Sequence, residues 1–334
     1  MLAVVSLCAG IACAAAQGLT ADAVNNATFS ADARNAKTGA KVGKGPSPAL
    51  VKAQVLLDRS RFSPGMIDGR TGDNLRKALA AFAQEHGVKA AGELNQDVWT
   101  KLTESSGEPA VIEYTISDAD VKGPFAEKIP ARMEDMAKLD RLGYTSAQEL
   151  LAEKFHASAD LLTALNPGKR FDEAGTRIVV PNVLASQGEK SDKSDKGNVA
   201  RIEVEKGARA LKVLDKGGKL LAFYPASIGS TDKPAPSGDF TVRAVAENPT
   251  YTYDPKFGFK GVKAKEKLTI KPGPNNPVGA VWIDLSLETY GIHGTPEPEK
   301  VGKSFSHGCV RLTNWDAKEL AAMVQKGTKV TFVE

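Results

Sequence analysis

The stretch Ser306-His307-Gly308-Cys309-Val310-Arg311-Leu312, read with Gly291-Ile292-His293-Gly294-Thr295 just upstream, decides what the C-terminal part of this chain is. Cys309 is one of three cysteines, and the other two, Cys8 and Cys13, lie in an apolar leader. A lone thiol in an exported chain has no disulfide partner of its own and is a candidate reactive sulfur. A histidine within reach can take its proton and make it a nucleophile. His293 and His307 both sit in Gly-bounded turns, where glycine lets the backbone approach a ligand closely. The amides of Gly308 and Cys309 are candidates for an oxyanion hole. His86 and His156 fall at predicted helix ends, where a cationic ring suits the dipole, and read as structural. Two other readings of the stretch stay open. One is a buried, inert cysteine among structural histidines. The other is a catalytic metal site, since one cysteine and two histidines are too few for a structural zinc.

Around this stretch the pattern is β-rich. Ile202 and Val204, Leu211 and Val213, Leu220 to Phe223, and Phe240, Val242 and Val245 form short alternating runs, with Gly217-Gly218 as a hairpin turn. A late helix is predicted from Asn314 to Val324, with Thr313 and Asp316 in capping-box positions and Gly327 as its stop. A last strand follows at Val330 to Val333. Together, 199–334 read as a mainly-β domain with a helix.

Upstream, Gly188 to Gly197 consists of charge, Ser and Gly and predicts a linker spanning 185–198. Residues 17–46 lack apolar periodicity and predict a flexible tether. Residues 1–16, an apolar run from Leu2 ending in Ala14-Ala15-Ala16, predict a signal peptide. That predicts export to the periplasm or cell wall, with membrane association if Cys13 carries a lipid. The chain has 334 residues, 42% hydrophobic and 25% charged, with a net charge of +4. That balance is ordinary for globular protein, and no basic face with a reading element points to nucleic acid.

Between tether and linker lie two predicted modules. In 47–106, Ser47-Pro48 opens one helix, Asp73 to Glu85 forms a second ending at Gly87, and Asn95 caps a third. The residues Gln54, Leu57, Pro64-Gly65, Ile67-Asp68-Gly69, Gly72, Ala78, Phe82 and Trp99 resemble a three-helix peptidoglycan-binding domain. In 112–184 the order is strand at Tyr114 to Ile116, helix from Ser146 with Glu149 in a capping box, helix from Ser158, and strand to Pro181. This resembles a LysM module, which implies binding to N-acetylglucosamine polymers. The insert from Asp118 to Gly143, with Met133, Met136 and Leu139 on one face, departs from that family's short loop and is expected to reshape or block the sugar groove.

Pro236-Ser-Gly-Asp-Phe240, Asn276-Pro277-Val-Gly279, Gly291-Ile-His293-Gly-Thr295 and Ser306-His-Gly-Cys-Val-Arg311-Leu312 resemble the L,D-transpeptidase (YkuD) catalytic domain over 199–334. The resemblance implies a β-sandwich-like fold and acyl transfer without cofactor or metal. It assigns Cys309 as nucleophile, His293 as base, the Gly294 carbonyl as orienter of its ring, and His307 as a residue bordering the pocket, with Gly308 kept as the oxyanion-hole candidate. Ser306 and Arg311 are expected to hold the loop or bind the substrate carboxylate. The implied substrates are peptidoglycan stem peptides, with release of D-alanine and formation of 3-3 crosslinks. A lipoprotein amine or water are alternative acceptors, and carbapenems are the implied inhibitors. A non-catalytic wall-binding protein is the competing class. The linkers further predict that the domain beginning near Val199 acts alone, while the upstream modules only retain it on the wall.

Overall fold

The computed structural model describes residues 19–29, 45–90, 92–104, 106–183, 195–230, 233–257, 262, 264–306 and 308–334. The predicted signal peptide, most of the predicted linker and His307 therefore lie outside the described residues.

The first module contains α1 (Ala21–Asn25), α2 (Pro48–Arg59), α3 (Asp73–Glu85) and α4 (Gln96–Glu104). Pro48 opens α2, and His86 caps α3 just before Gly87 at φ +66°. Gln54 explains the Ile67-Asp68-Gly69 turn. Its Oε1 accepts from the Asp68 and Gly69 amides at 3.1 and 2.7 Å, and its Nε2 donates to Asp68 Oδ1 at 2.9 Å. Gly69 has φ +67°, and a Cβ there would fall 2.6 Å from Pro46 Cβ, so glycine is required on both counts.

The second module pairs β1 (Val111–Thr115) antiparallel with β2 (Arg177–Pro181). Between them run α5 (Asp118–Val121), α6 (Met133–Met136), α7 (Ala147–Lys154) and α8 (Ala159–Leu165). Ser146 caps α7 by accepting from Glu149 N at 3.1 Å, but the Glu149 carboxylate reaches Thr145 N at 2.6 Å instead of closing the box on Ser146.

The C-terminal part holds β3 (Val199–Glu205), β4 (Ala210–Asp215), β5 (Leu220–Pro225), β6 (Ser227–Ile228), β7 (Gly238–Glu247), β8 (Tyr251–Tyr253), β9 (Leu268–Ile270), β10 (Val281–Leu285), β11 (Gly291–His293), β12 (Val310–Arg311), α9 (Asn314–Met323) and β13 (Lys329–Val333). Nine strands share one hydrogen-bonded order, β5-β4-β3-β13-β7-β10-β11-β12-β6, while β8 and β9 form a separate hairpin. Strand β7 joins two halves: residues 238–241 pair with β13 and 242–247 with β10. One core of buried side chains, including Ile202, Val213, Ile283, Ile292 and Val310, spans both halves, with Ala317 and Leu320 of α9. The Gly217-Gly218 turn is present, with Gly218 at φ +84°. His293 was expected in a turn and lies instead on β11. A three-residue strand is too short to show a period of two.

The structure corrects the picture of modules strung on linkers. Ala210, Leu214, Leu220 and Phe223 of the β4–β5 hairpin belong to the same apolar core as the first module's helices. Backbone bonds join Phe223 N to Arg61 O and Ser63 N to Phe223 O, at 2.8 and 2.9 Å. The first and second modules share another core containing Val51, Val55, Ile67, Leu151 and Leu161. The insert is a docking strap as well: Leu142 N donates to Pro272 O at 3.0 Å and Asn275 N to Leu142 O at 2.9 Å. Part of the predicted tether is ordered too. Val24 is fully buried, and the Asn25 side chain makes paired bonds of 2.9 Å to the backbone of Val111, closing the edge of β1. Composition misses these contacts because the docking surfaces are apolar residues that also suit each module's own core.

Candidate active site

Strands β11 and β12 run parallel, with Ile292 beside Val310 and His293 beside Arg311. Extended by one step, that register puts Cys309 beside Gly291. Paired residues of adjacent strands share a face, and so do alternate residues along a strand. Cys309, Arg311 and His293 therefore lie on one face of the sheet. On the other side of β11, Trp282 pairs with His293, and the two rings stack at 5.5 Å and 22°. Gly291 leaves the room this needs: a Cβ there would sit 2.6 Å from the Trp282 ring.

His293 is buried at 4% exposure, and its Nδ1 lies 2.6 Å from the Gly294 carbonyl. Burial pushes its pKa down to about 3, the Arg311 charge adds to this, and hydrogen bonding to the Gly294 and Val278 backbone opposes it. The Gly294 amide donates to Val281 O at 3.2 Å, and the Asn314 side chain packs against Gly294, its Oδ1 accepting from Ala280 N at 3.0 Å. A Cβ on Gly294 would lie 2.2 Å from that same oxygen, so no side chain fits. Asn314 Nδ2 donates to Glu153 Oε2 at 2.8 Å, so the second module reaches the frame of the site.

Cys309 is the free cysteine of the described residues and is half-buried. Burial raises its thiol pKa, against the Gly291 backbone and the Arg311 charge, which lower it. At rest the site therefore pairs a protonated thiol with a neutral imidazole. Around the sulfur stand two tyrosines that sequence reading missed. Tyr251 is pushed up to about 12, by burial first and then by Cys309. Tyr290 is raised for the same reasons, and its hydroxyl donates to the Gly308 carbonyl. Neither carried a spacing signal, although Tyr290 directly precedes Gly291-Ile292-His293. Arg311 is pushed down by burial and up by Cys309, Glu297 and Tyr251, which places its charge in this pocket.

Of the two roles expected of Ser306, its contacts fit the holding of the loop. It is 2% exposed, its amide donates to Gly229 O at 2.9 Å, and its hydroxyl accepts from Gly308 N at 3.2 Å. It holds the loop. The same bond corrects the oxyanion expectation for Gly308, whose amide is taken, leaving Cys309 N–H as the donor of that pair. Gly308 keeps φ +127°, a conformation that L side chains rarely adopt.

Residues 199–332 match the YkuD family, described as "L,D-transpeptidase catalytic domain". Residues 46–102 match a family described as "Putative peptidoglycan binding domain". The protein named "Putative L,D-transpeptidase YkuD" from Bacillus subtilis is 30% identical over 183 residues, 54% of this chain and 90% of that protein. The chain belongs to the L,D-transpeptidase family. It is an enzyme of that class. The Bacillus licheniformis protein of the same name is 29% identical over 185 residues, 55% of this chain and 91% of its own length. Among solved structures, an L,D-transpeptidase from Mycobacterium smegmatis aligns at TM-score 0.34 and 22% identity, covering 41% of this chain and 59% of that one. L,D-transpeptidase 3 from Mycobacterium tuberculosis, solved with a faropenem-derived adduct, aligns at TM-score 0.34 and 18% identity, over 41% of this chain and 61% of its own.

Proposed function

We propose that this L,D-transpeptidase uses Cys309 as its nucleophile on a peptidoglycan stem tetrapeptide. The observation that carries the reading is the register of β11 and β12, which sets thiol, imidazole and guanidinium on one face. The His293 imidazole takes the thiol proton as Sγ bonds to the carbonyl carbon between the third residue and the terminal D-alanine. The tetrahedral intermediate collapses, the C–N bond breaks, and D-alanine leaves with the proton as its free amine. A thioester remains. The amine of a second stem attacks it, passes a proton to the imidazole, and releases the thiol with a 3-3 crosslink formed. Arg311 binds the substrate carboxylate in this reading, Gly294 fixes the imidazole, and His307 borders the pocket.

The neutral resting state favours this sequence. A neutral imidazole is the form that can accept the thiol proton, and the transfer runs with the attack of Sγ on the carbonyl carbon. The match of 46–102 to a peptidoglycan-binding family supports peptidoglycan as the partner. The second module is proposed as a LysM-like contact to glycan, the enzyme as exported to the periplasm or cell wall, and carbapenems as acylating inhibitors. Lipoprotein amine or water remain alternative acceptors on the same acyl-enzyme.

Mass spectrometry of muropeptides after incubation with purified sacculi tests the reading. The full chain is expected to convert tetrapeptide stems to 3-3 dimers with loss of D-alanine, and Cys309→Ala to leave them unchanged. Dimers formed by the alanine variant would remove the mechanism. Tripeptides or lipoprotein-linked stems without dimers would reassign the acceptor.

A further inference from the structure

Gly308 is gripped from both sides. Its amide donates to Ser306 Oγ at 3.2 Å, and its carbonyl accepts from the Tyr290 hydroxyl. The Tyr290 ring lies alongside, with Cε2 the nearest atom to where a Gly308 Cβ would be, at 3.9 Å. The ring is fixed from behind by an edge-on contact with Phe332 at 5.6 Å and 81°, and it is 9% exposed. The Gly308 carbonyl belongs to the peptide that carries the Cys309 N–H. That unit is planar and trans, so its C=O and N–H point in opposite directions. A hydroxyl that pins the carbonyl therefore aims the Cys309 amide the other way. With the Gly308 amide already engaged, the Cys309 amide is the donor left to meet a developing oxyanion.

We propose that Tyr290 is a positioning residue for acyl transfer: by holding the Gly308 carbonyl it orients the Cys309 N–H as the oxyanion-hole donor. This rests on the reading of Cys309 as nucleophile. In this role Tyr290 acts through the Gly308 peptide and not on the substrate itself. Its hydroxyl must stay protonated to donate, and burial beside Cys309 keeps it so.

Two reactions of the same thiol separate this role from a merely structural one. Alkylation by iodoacetamide passes through no tetrahedral oxyanion, whereas acylation by a carbapenem does. In the full chain, Tyr290→Phe is expected to slow acylation by about 10- to 100-fold, below the loss seen when an oxyanion donor is deleted outright. Its alkylation rate should stay within about twofold of wild type, since the thiol and His293 are untouched. Equal losses in both reactions would make Tyr290 a prop for the thiol itself, and no loss in either would leave the carbonyl contact without consequence. Each result overturns the proposal. Loss of all reaction in Cys309→Ala together with wild-type acylation in Tyr290→Phe would overturn it while sparing the underlying mechanism. If Tyr290→Phe fails to fold, a ring-fluorinated tyrosine at 290 keeps the shape and lowers the hydroxyl's pKa. Acylation should then be lost at lower pH than in wild type while alkylation keeps rising. Parallel pH profiles for both reactions would refute the role.

Discussion

At the active site, His293 stacks on Trp282 at 5.5 Å and turns Nδ1 to a backbone carbonyl, that of Gly294. At the seam between modules, His156 stacks on Trp315 at 5.1 Å and turns Nδ1 to a carboxylate, Asp58 Oδ2 at 3.0 Å. Both rings are buried and both are fixed by a tryptophan and one acceptor. The difference lies in what else shares the face. His293 shares its own with a thiol and a guanidinium. His156 bridges three parts of the chain: Asp58 comes from the first module, the ring from the second, and Trp315 from α9. In the proposed mechanism the same construction serves proton transfer beside the thiol; at the seam it serves docking.

The largest effect that tests this contrast is on rate. His293→Ala should lower Cys309 acylation by about 10²–10⁴-fold, the range for loss of a general base. His156→Ala should leave acylation within about threefold and lower stability by about 1–3 kcal/mol, because a buried hydrogen bond to Asp58 and the stack on Trp315 are lost. Acylation kinetics and denaturant melts on both variants check the pair. A large rate loss in the His156 variant would mean that the seam and the site are one functional unit.

Truncation sharpens the same point from the other side. A fragment starting at Val199 exposes Ala210, Leu214, Leu220 and Phe223, and leaves Asn314 without Glu153. It should aggregate or melt well below the full chain, and acylate several-fold more slowly than it. Light scattering and carbapenem adduct formation report this. A soluble fragment acylating at the full rate would restore the picture of independent beads.

Why that picture arose is physical. The histidine–thiol stretch was legible because its residue types are uncommon together and glycine has few uses beside them. The strands that carry it were not, since β11 and β12 have three and two residues and show no alternation. Helix caps read well where the cap is local: Ser158, Thr313 and Ser146 each accept from the amide three residues on. The carboxylates expected to close two of these boxes, Glu149 and Asp316, read poorly because each also serves a distant segment: Glu149 accepts from Asn275 Nδ2 at 2.7 Å. Asp316, expected to close the box on Thr313, accepts from Ser63 Oγ at 3.0 Å, a residue of the first module. The insert 118–143 looked like an obstruction of a groove because a sequence shows that a loop is long and not what it touches. Its contact with Pro272 and Asn275 is long-range, and no local pattern encodes it.

The pH dependence of the rate follows from the site. Burial raises the Cys309 thiol above its ordinary range and lowers His293 to about 3. Acylation should therefore climb with pH through neutrality into the alkaline range. It should show no inflexion at ~6.5, where a solvent-exposed imidazole titrates. An acid limb centred there would place the working imidazole in a more solvated state than the resting one.

The smallest effect is on stability, and here site and seam pull in opposite directions. His293 titrates at about 3 when folded and near ~6.5 when unfolded. Between those values the unfolded chain binds a proton that the native state refuses, so this residue makes stability rise with pH across that window. Asp316 is the reverse. Its burial, followed by the charge of Asp58, raises its carboxyl well above the usual range, and its hydrogen bonds with Thr313 and Ser63 only partly oppose this. The native state keeps a proton that the unfolded chain releases above ~3.9. Asp316 thus contributes stability that is present at low pH and lost as pH rises. Between about pH 4 and 6.5 the two slopes oppose, and the wild-type stability curve should be flatter than either alone. Substitution separates them. His293→Ala should lose the rising component, leaving stability that declines with pH in that window. Asp316→Asn keeps a neutral side chain of similar shape and should lose the declining component, leaving a steeper rise. Urea melts at half-unit pH steps on the three proteins read this directly. If both variants kept the wild-type profile, neither buried group would be held in the protonation state that its surroundings impose.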